Sequence, residues 1–126
     1  MLFFISKSFA DQNKQQIPVY TDSSQSITIT PNSPEFKIQL KANPTTGYTW
    51  NTKKYDQNLL TLVNYRYLSP HIQMPGAGGI SEWDFKAKAA FFVKSQSTEI
   101  NLLYARPWDL SDNPTNLQFT VMSKIN

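Results

Sequence analysis

The chain lacks cysteine altogether and has only four glycines and one histidine among its 126 residues. Without cysteine it can form no disulfide, thiolate metal ligand or cysteine nucleophile. The lone His71 would have to serve any Ser-His-acid triad, and no nucleophile motif lies near it. The sequence therefore predicts a protein that is not an enzyme and that has no catalytic residue, metal site or cofactor.

Charge is also scarce, since charged residues make up 17% of the chain and the net charge is +3. The longest basic run is Lys53-Lys54, whereas a nucleic-acid site needs clustered lysine and arginine. No segment approaches the roughly 18 apolar residues of a membrane helix. We therefore expect a soluble protein with no nucleic-acid partner and no membrane span.

The N-terminus gives the one indication of compartment. Residues 1–5 are apolar, and Ser8 and Ala10 have the small side chains of a signal cleavage site, but the basic start and the long apolar region of a signal peptide are missing. Residues 1–16 are interpreted as a flexible N-terminus, either a remnant of an export signal or an ordinary chain end. The sequence favours an exported protein, in a periplasmic, secreted or lysosome-like compartment.

The rest of the chain is rich in aromatic residues, which make up 13% of the sequence, and its apolar and polar residues alternate. In 35–41, for example, Phe36, Ile38 and Leu40 share one face of a strand. Strands are predicted over 17–20, 27–30, 35–41, 48–53, 60–68, 81–93, 98–105 and 117–123, with a single helical turn around 56–59. The pattern predicts an all-β, immunoglobulin-like antiparallel β-sandwich of seven or eight strands over residues 17–126.

In such a sandwich the chain reverses at every connection, so alternate connections emerge at the same end. The connections 42–47, 69–80 and 106–116 should therefore lie together. The first two contain all four glycines of the chain, which concentrates its freest backbone at one tip.

Each of these three connections carries a short motif with an ordinary structural explanation. The motifs are Asn43-Pro44-Thr45-Thr46-Gly47-Tyr48, Gly76-Ala77-Gly78-Gly79 and Arg106-Pro107-Trp108. The first is a well-formed turn, the second a flexible loop that lacks the helix needed for phosphate binding, and in the third Trp108 either covers the core or contacts a partner.

Taken together, in this order and spacing, the three motifs resemble those of the chagasin-type inhibitors of papain-family cysteine peptidases. The resemblance covers residues 17–126 and includes the strand at 100–104 that leads into the third motif. It does not extend to residues 1–16 or to the asparagine-rich segment after Trp108.

The resemblance implies a reversible inhibitor that occludes the cleft of papain-family cysteine peptidases and is a monomer when free. Thr45, Thr46 and Gly47 would lie nearest the catalytic cysteine and histidine. The 76–79 loop would make main-chain contacts along the cleft, and Arg106 and Trp108 would hold its far side.

A carbohydrate-binding or adhesive immunoglobulin-like module is the alternative. It would use Trp50, Trp83 and Trp108 as stacking platforms, but the alternation places Trp50 and Trp83 on inward-facing strand positions.

Overall fold

The computed structural model describes residues 16–70 and 78–125. It contains eight strands: β1 (Val19–Tyr20), β2 (Ile27–Ile29), β3 (Glu35–Ala42), β4 (Thr49–Lys54), β5 (Leu60–Leu68), β6 (Gly79–Ala87), β7 (Ser97–Ala105) and β8 (Thr115–Ser123). Two 3-10 turns, Pro44–Thr46 and Ala89–Phe92, are the only helical elements of the described residues. The predicted turn at 56–59 is closed by the Leu60 amide, which donates to the Asp56 carbonyl at 3.0 Å. None of the described helical segments has the length and apolar character needed to cross a membrane.

The strands form two four-stranded sheets, in the orders β1-β3-β6-β5 and β2-β8-β7-β4. The six longer strands pair with one another in antiparallel fashion, as predicted. The two short ones differ, because β1 runs parallel to β3 and β2 parallel to β8.

The core lies between the sheets and is rich in aromatic side chains. Trp50 and Trp83 are 9% and 1% exposed, and their rings meet edge to face at 6.1 Å. Each indole N–H is satisfied, that of Trp50 by the Lys41 carbonyl at 3.0 Å and that of Trp83 by Thr52 Oγ1 at 3.1 Å. The inward placement of both tryptophans is confirmed, so neither offers a stacking platform to a sugar.

The predicted strand over 81–93 is wrong at its end, because β6 stops at Ala87 and Ala89–Phe92 forms a 3-10 turn. A continuing strand would place the neighbours Phe91 and Phe92 on opposite faces. In the turn, Phe91 is fully buried and Phe92 also packs against the core. Burial of both rings therefore favours the turn over the strand.

On the outer face of the first sheet, Glu82 on β6 is a buried carboxylate, only 3% exposed. Its oxygens accept from Gln39 Nε2 at 2.6 Å and Arg66 Nε at 2.7 Å, and Lys37 Nζ lies 3.6 Å away. Burial by itself raises the pKa of Glu82. The hydrogen bonds from Gln39 and Arg66 and the charges of Lys37 and Arg66 outweigh that effect, so the pKa lies below its ordinary value.

Candidate functional site

The described residues of the three connections predicted to share one end of the sandwich lie together there. We call them the first loop (residues 43–48), the second loop (69–78) and the third loop (106–114). A Cβ placed on Gly78 would lie 2.8 Å from the Ala42 carbonyl oxygen at the end of β3 and 3.4 Å from Asn43 Cβ in the first loop. A Cβ placed on Gly47 would lie 2.6 Å from the Trp108 ring in the third loop. The first loop therefore touches both of its neighbours.

The first loop is a 3-10 turn over Pro44–Thr46 that is closed by its own side chains. Asn43 Oδ1 accepts from the Thr45 amide at 3.3 Å and from Thr45 Oγ1 at 2.6 Å, while Thr46 Oγ1 donates to the Asn43 carbonyl at 2.7 Å. Pro44 fixes φ at the first position, and Gly47 ends the turn with a φ of 86°, a conformation that favours glycine. The segment is stiff before any partner arrives.

Aromatic rings connect this turn to the core. Tyr104 on β7 packs against Trp50 at 4.7 Å and against Tyr48 at 5.4 Å between ring centroids. Its hydroxyl accepts from the Asn43 amide at 3.0 Å. The Tyr48 hydroxyl in turn donates to the Asp112 carbonyl at 2.8 Å. The first and third loops thus rest on one aromatic stack that begins in the core.

Arg106 connects the first loop directly to the third. Its Nε donates to the Thr46 carbonyl at 3.2 Å, its Nη1 pairs with Asp112 Oδ2 at 2.6 Å, and its guanidinium lies 4.6 Å above the Tyr48 ring. Each of these contacts is internal, so in the free protein Arg106 holds the two loops in one arrangement. Its predicted grip on a partner stays a prediction.

Trp108, which follows Pro107, is 72% exposed. The alternative in which it covers the core is therefore wrong. Its ring lies against Gly47, where the absence of a side chain makes room for it. The third loop presents a large apolar surface immediately beside the tip of the first.

The rest of the third loop consists of closed turns. The Asp109 amide donates to the Arg106 carbonyl at 3.0 Å, and the Asp112 amide donates to the Asp109 carbonyl at 3.2 Å. Asp109 Oδ1 accepts from Ser111 Oγ at 2.7 Å and from the Ser111 amide at 3.1 Å, and these hydrogen bonds hold the pKa of Asp109 below its ordinary value. Leu110, which the motif analysis missed, is 57% exposed between these turns. The signal that could have identified it is an apolar residue between two polar ones, Asp109 and Ser111.

The predicted second connection, 69–80, is wrong at its end, because Gly79 and Ile80 belong to β6. Gly79 is the first residue of β6 and pairs with Ala42 of β3, because its bare backbone fits between Leu68 and Tyr67, where any Cβ would collide. Gly78 lies in the loop, beside the first loop. Gly76, Ala77 and His71 fall outside the described residues.

The described residues at this end of the molecule offer a shaped surface. Among the described residues, no group of three or more His, Cys, Asp or Glu side chains is arranged to hold a metal ion. What the three loops present is a stiff edge of Thr45, Thr46 and Gly47 with Trp108 beside it. Such an edge is suited to filling a cleft.

A family model described as "Chagasin family peptidase inhibitor I42" matches residues 30–122, a span that contains all three loops. The chain belongs to the chagasin family of peptidase inhibitors. It is 34% identical over 94 residues to chagasin of Trypanosoma cruzi, an alignment that covers 71% of this chain and 80% of chagasin.

Solved structures agree with this chagasin-family assignment. The crystal structure of a cysteine protease inhibitor from Entamoeba histolytica superposes with a TM-score of 0.62 and 27% identity, over 87% of this chain and 96% of that one. The structure of PbICP-C in complex with falcipain-2 shares the fold, with a TM-score of 0.57 and 18% identity, over 86% and 92% of the two chains. The predicted immunoglobulin-like β-sandwich is confirmed, as is the prediction of a cysteine peptidase inhibitor rather than an enzyme.

Proposed function

We propose that the first loop enters the active-site cleft of a papain-type cysteine peptidase as a wedge, with Thr45, Thr46 and Gly47 nearest the catalytic cysteine and histidine. The observation that carries this proposal is the internal bracing of the loop. Arg106, the Tyr104 hydroxyl and the Asn43 cap hold its backbone in one shape. Binding of such a loop costs little ordering entropy.

The same bracing explains why the wedge should resist cleavage. The Thr46 amide donates to the Asn43 carbonyl at 3.1 Å and the Gly47 amide to the Pro44 carbonyl at 2.9 Å. A curled backbone whose polar groups are paired internally does not present an extended peptide to the enzyme. The inhibitor is therefore expected to block the cleft without becoming a substrate.

The other two loops would hold the walls of the cleft. Trp108 supplies an exposed aromatic anchor of the kind found at binding hot spots. Gly78 supports main-chain contacts by the second loop, a role that Gly76 and Ala77 are predicted to share. PbICP-C, a protein of the same fold, was solved with falcipain-2 bound.

The proposal is tested by titrating the protein against papain and a lysosomal cathepsin, with trypsin as the control. We expect tight, reversible inhibition of the first two and none of trypsin. Mass spectrometry after long incubation should find the inhibitor intact. The proposal fails if several papain-type enzymes keep full activity at micromolar inhibitor, and the wedge arrangement fails if the 43–48 segment is promptly cut.

Export and a monomeric free state remain part of the proposal. Residues 1–15 lie outside the described residues, so export is tested by locating the mature protein and sequencing its N-terminus. Size-exclusion chromatography with light scattering tests the free state.

A further inference from the structure

The third loop exposes a second large apolar side chain besides that of Trp108. Leu110 is 57% exposed and lies two residues further along the loop. Single exposed leucines are common on protein surfaces and by themselves indicate nothing. The local structure that holds this one is what makes it informative.

Leu110 is presented by a fixed backbone. It follows Asp109, whose carboxylate accepts two hydrogen bonds from Ser111, and it precedes Asp112, which Arg106 pairs with at 2.6 Å. The Asp112 amide closes the turn around it on the Asp109 carbonyl at 3.2 Å. A floppy loop could fold an apolar side chain back onto the protein, but this closed turn keeps Leu110 outside.

The turn that carries Leu110 is connected to the first loop at the end of the sandwich. The Tyr48 hydroxyl binds the carbonyl of Asp112, so the turn that carries Leu110 is tied to the base of the first loop. Trp108, by contrast, lies directly against Gly47 at the tip. The third loop therefore presents one apolar side chain at the wedge and a second one further along the same loop.

We propose that Leu110 is a second apolar contact with the peptidase, lying outside the catalytic cleft, and that it selects among papain-type enzymes with the same catalytic residues. This inference rests on the proposed function. The partner surface it requires is an apolar depression on the wall beside the cleft. Because catalytic residues are shared by the whole enzyme class and the wall is not, a contact there changes relative affinities.

The test compares Leu110→Ser with Val93→Ser. Val93 is the matched control, an aliphatic residue that is 75% exposed and lies in the β6–β7 connection, which is not one of the three loops. Inhibition constants are measured for papain and two other papain-type peptidases, and thermal melting is recorded for each variant. Both changes replace an exposed apolar side chain, so neither should shift the melting temperature appreciably.

We expect Leu110→Ser to raise the inhibition constant about tenfold for at least one enzyme and to change the ratio of constants between enzymes. Val93→Ser should leave all constants unchanged. The inference is overturned if Leu110→Ser inhibits every enzyme like the parent, or weakens inhibition of all by one common factor. If the parent itself inhibits none of them, the proposed function fails instead, which is a separate and recognisable result.

Discussion

The chain has two arginines, each paired with a carboxylate, and the two pairs lie in contrasting surroundings. Arg66 meets Glu82 on an adjacent strand, where the backbone ladder between β5 and β6 already fixes their positions. Arg106 meets Asp112 within a loop and reaches across to the Thr46 carbonyl of another loop. One pair belongs to a sheet and the other to the end of the sandwich where the loops meet.

The comparison shows that an arginine–carboxylate pair can either stabilise a sheet or hold loops in one arrangement. Glu82 is buried, so its carboxylate needs the positive charges of Arg66 and Lys37 and the hydrogen bond from Gln39. Without them the sheet is weakened. Asp112 is partly exposed and needs no such matching. Its pairing with Arg106 instead fixes loops that no strand ladder holds. Stability should therefore depend on the first arginine and inhibition on the second.

The largest effect on inhibition is expected from Trp108→Ala. Loss of an exposed aromatic anchor should weaken inhibition by about 2–4 kcal/mol. The free energy of unfolding should change by less than about 1 kcal/mol, because the ring is mostly outside the core. Inhibition constants and thermal melts check both numbers. A variant that melts far below the parent but inhibits normally would show that Trp108 has a structural role only.

The pair Arg66→Ala and Arg106→Ala breaks the comparison directly. Arg66→Ala should lower the free energy of unfolding by about 1–3 kcal/mol, the range for a hydrogen bond to a charged group, and leave inhibition unchanged. Arg106→Ala should weaken inhibition by about 1–3 kcal/mol through loss of loop order, with a smaller effect on unfolding. Denaturant titrations and inhibition assays on both variants decide the matter. If both variants lose stability and neither loses inhibition, the two ion pairs have the same structural role.

Glu82→Gln sharpens the stability side of the comparison through pH. At neutral pH the change should cost about 1–2 kcal/mol of unfolding free energy. The pKa of Glu82 is lowered by folding, so its contribution is complete above the ordinary value of 4.5 and is lost as the pH falls through the lowered pKa. The gap between parent and variant should therefore close in acid. A difference in unfolding free energy between parent and variant that stays constant from neutral to acidic pH would contradict the assigned interactions of Glu82.

Gly47→Ala tests the shape of the first loop with the smallest change, a single methyl group. The φ of 86° opposes a side chain there, and the added Cβ would lie 2.6 Å from the Trp108 ring. We expect a loss of about 1 kcal/mol in stability and a comparable loss in inhibition, as Trp108 moves aside. Val93→Ala, at an exposed position in the β6–β7 connection, is the control and should inhibit normally.

The sequence predicts the parts of this structure that depend on local patterns. The alternation around Phe36, Ile38 and Leu40 identifies β3, and the same reasoning places Trp50 and Trp83 in the core. Chain reversal at each connection is enough to bring Gly47, Gly78 and Trp108 to one end. These inferences use only strand periodicity and antiparallel geometry.

What the sequence does not predict depends on contacts between distant residues. Arg106 reaches Thr46, which is sixty residues earlier in the chain, and no local pattern announces that pairing. The end of β6 is set by burial of Phe91 in the assembled core. Asp112 resembles any loop aspartate until the turn that brings it to Arg106 is formed. Residues of this kind become visible only in three dimensions.

The parallel pairing of β2 with β8 has a consequence for biosynthesis. Ile27 pairs with Val121, so this contact joins nearly the two ends of the described chain. Closing so long a loop is entropically costly, and contacts of this range slow folding. On the ribosome, Ile27–Ile29 emerge long before β8 and stay without this partner strand until β8 has been made. The second sheet is therefore completed only when β2, the first of its strands to be synthesised, pairs with β8, the last.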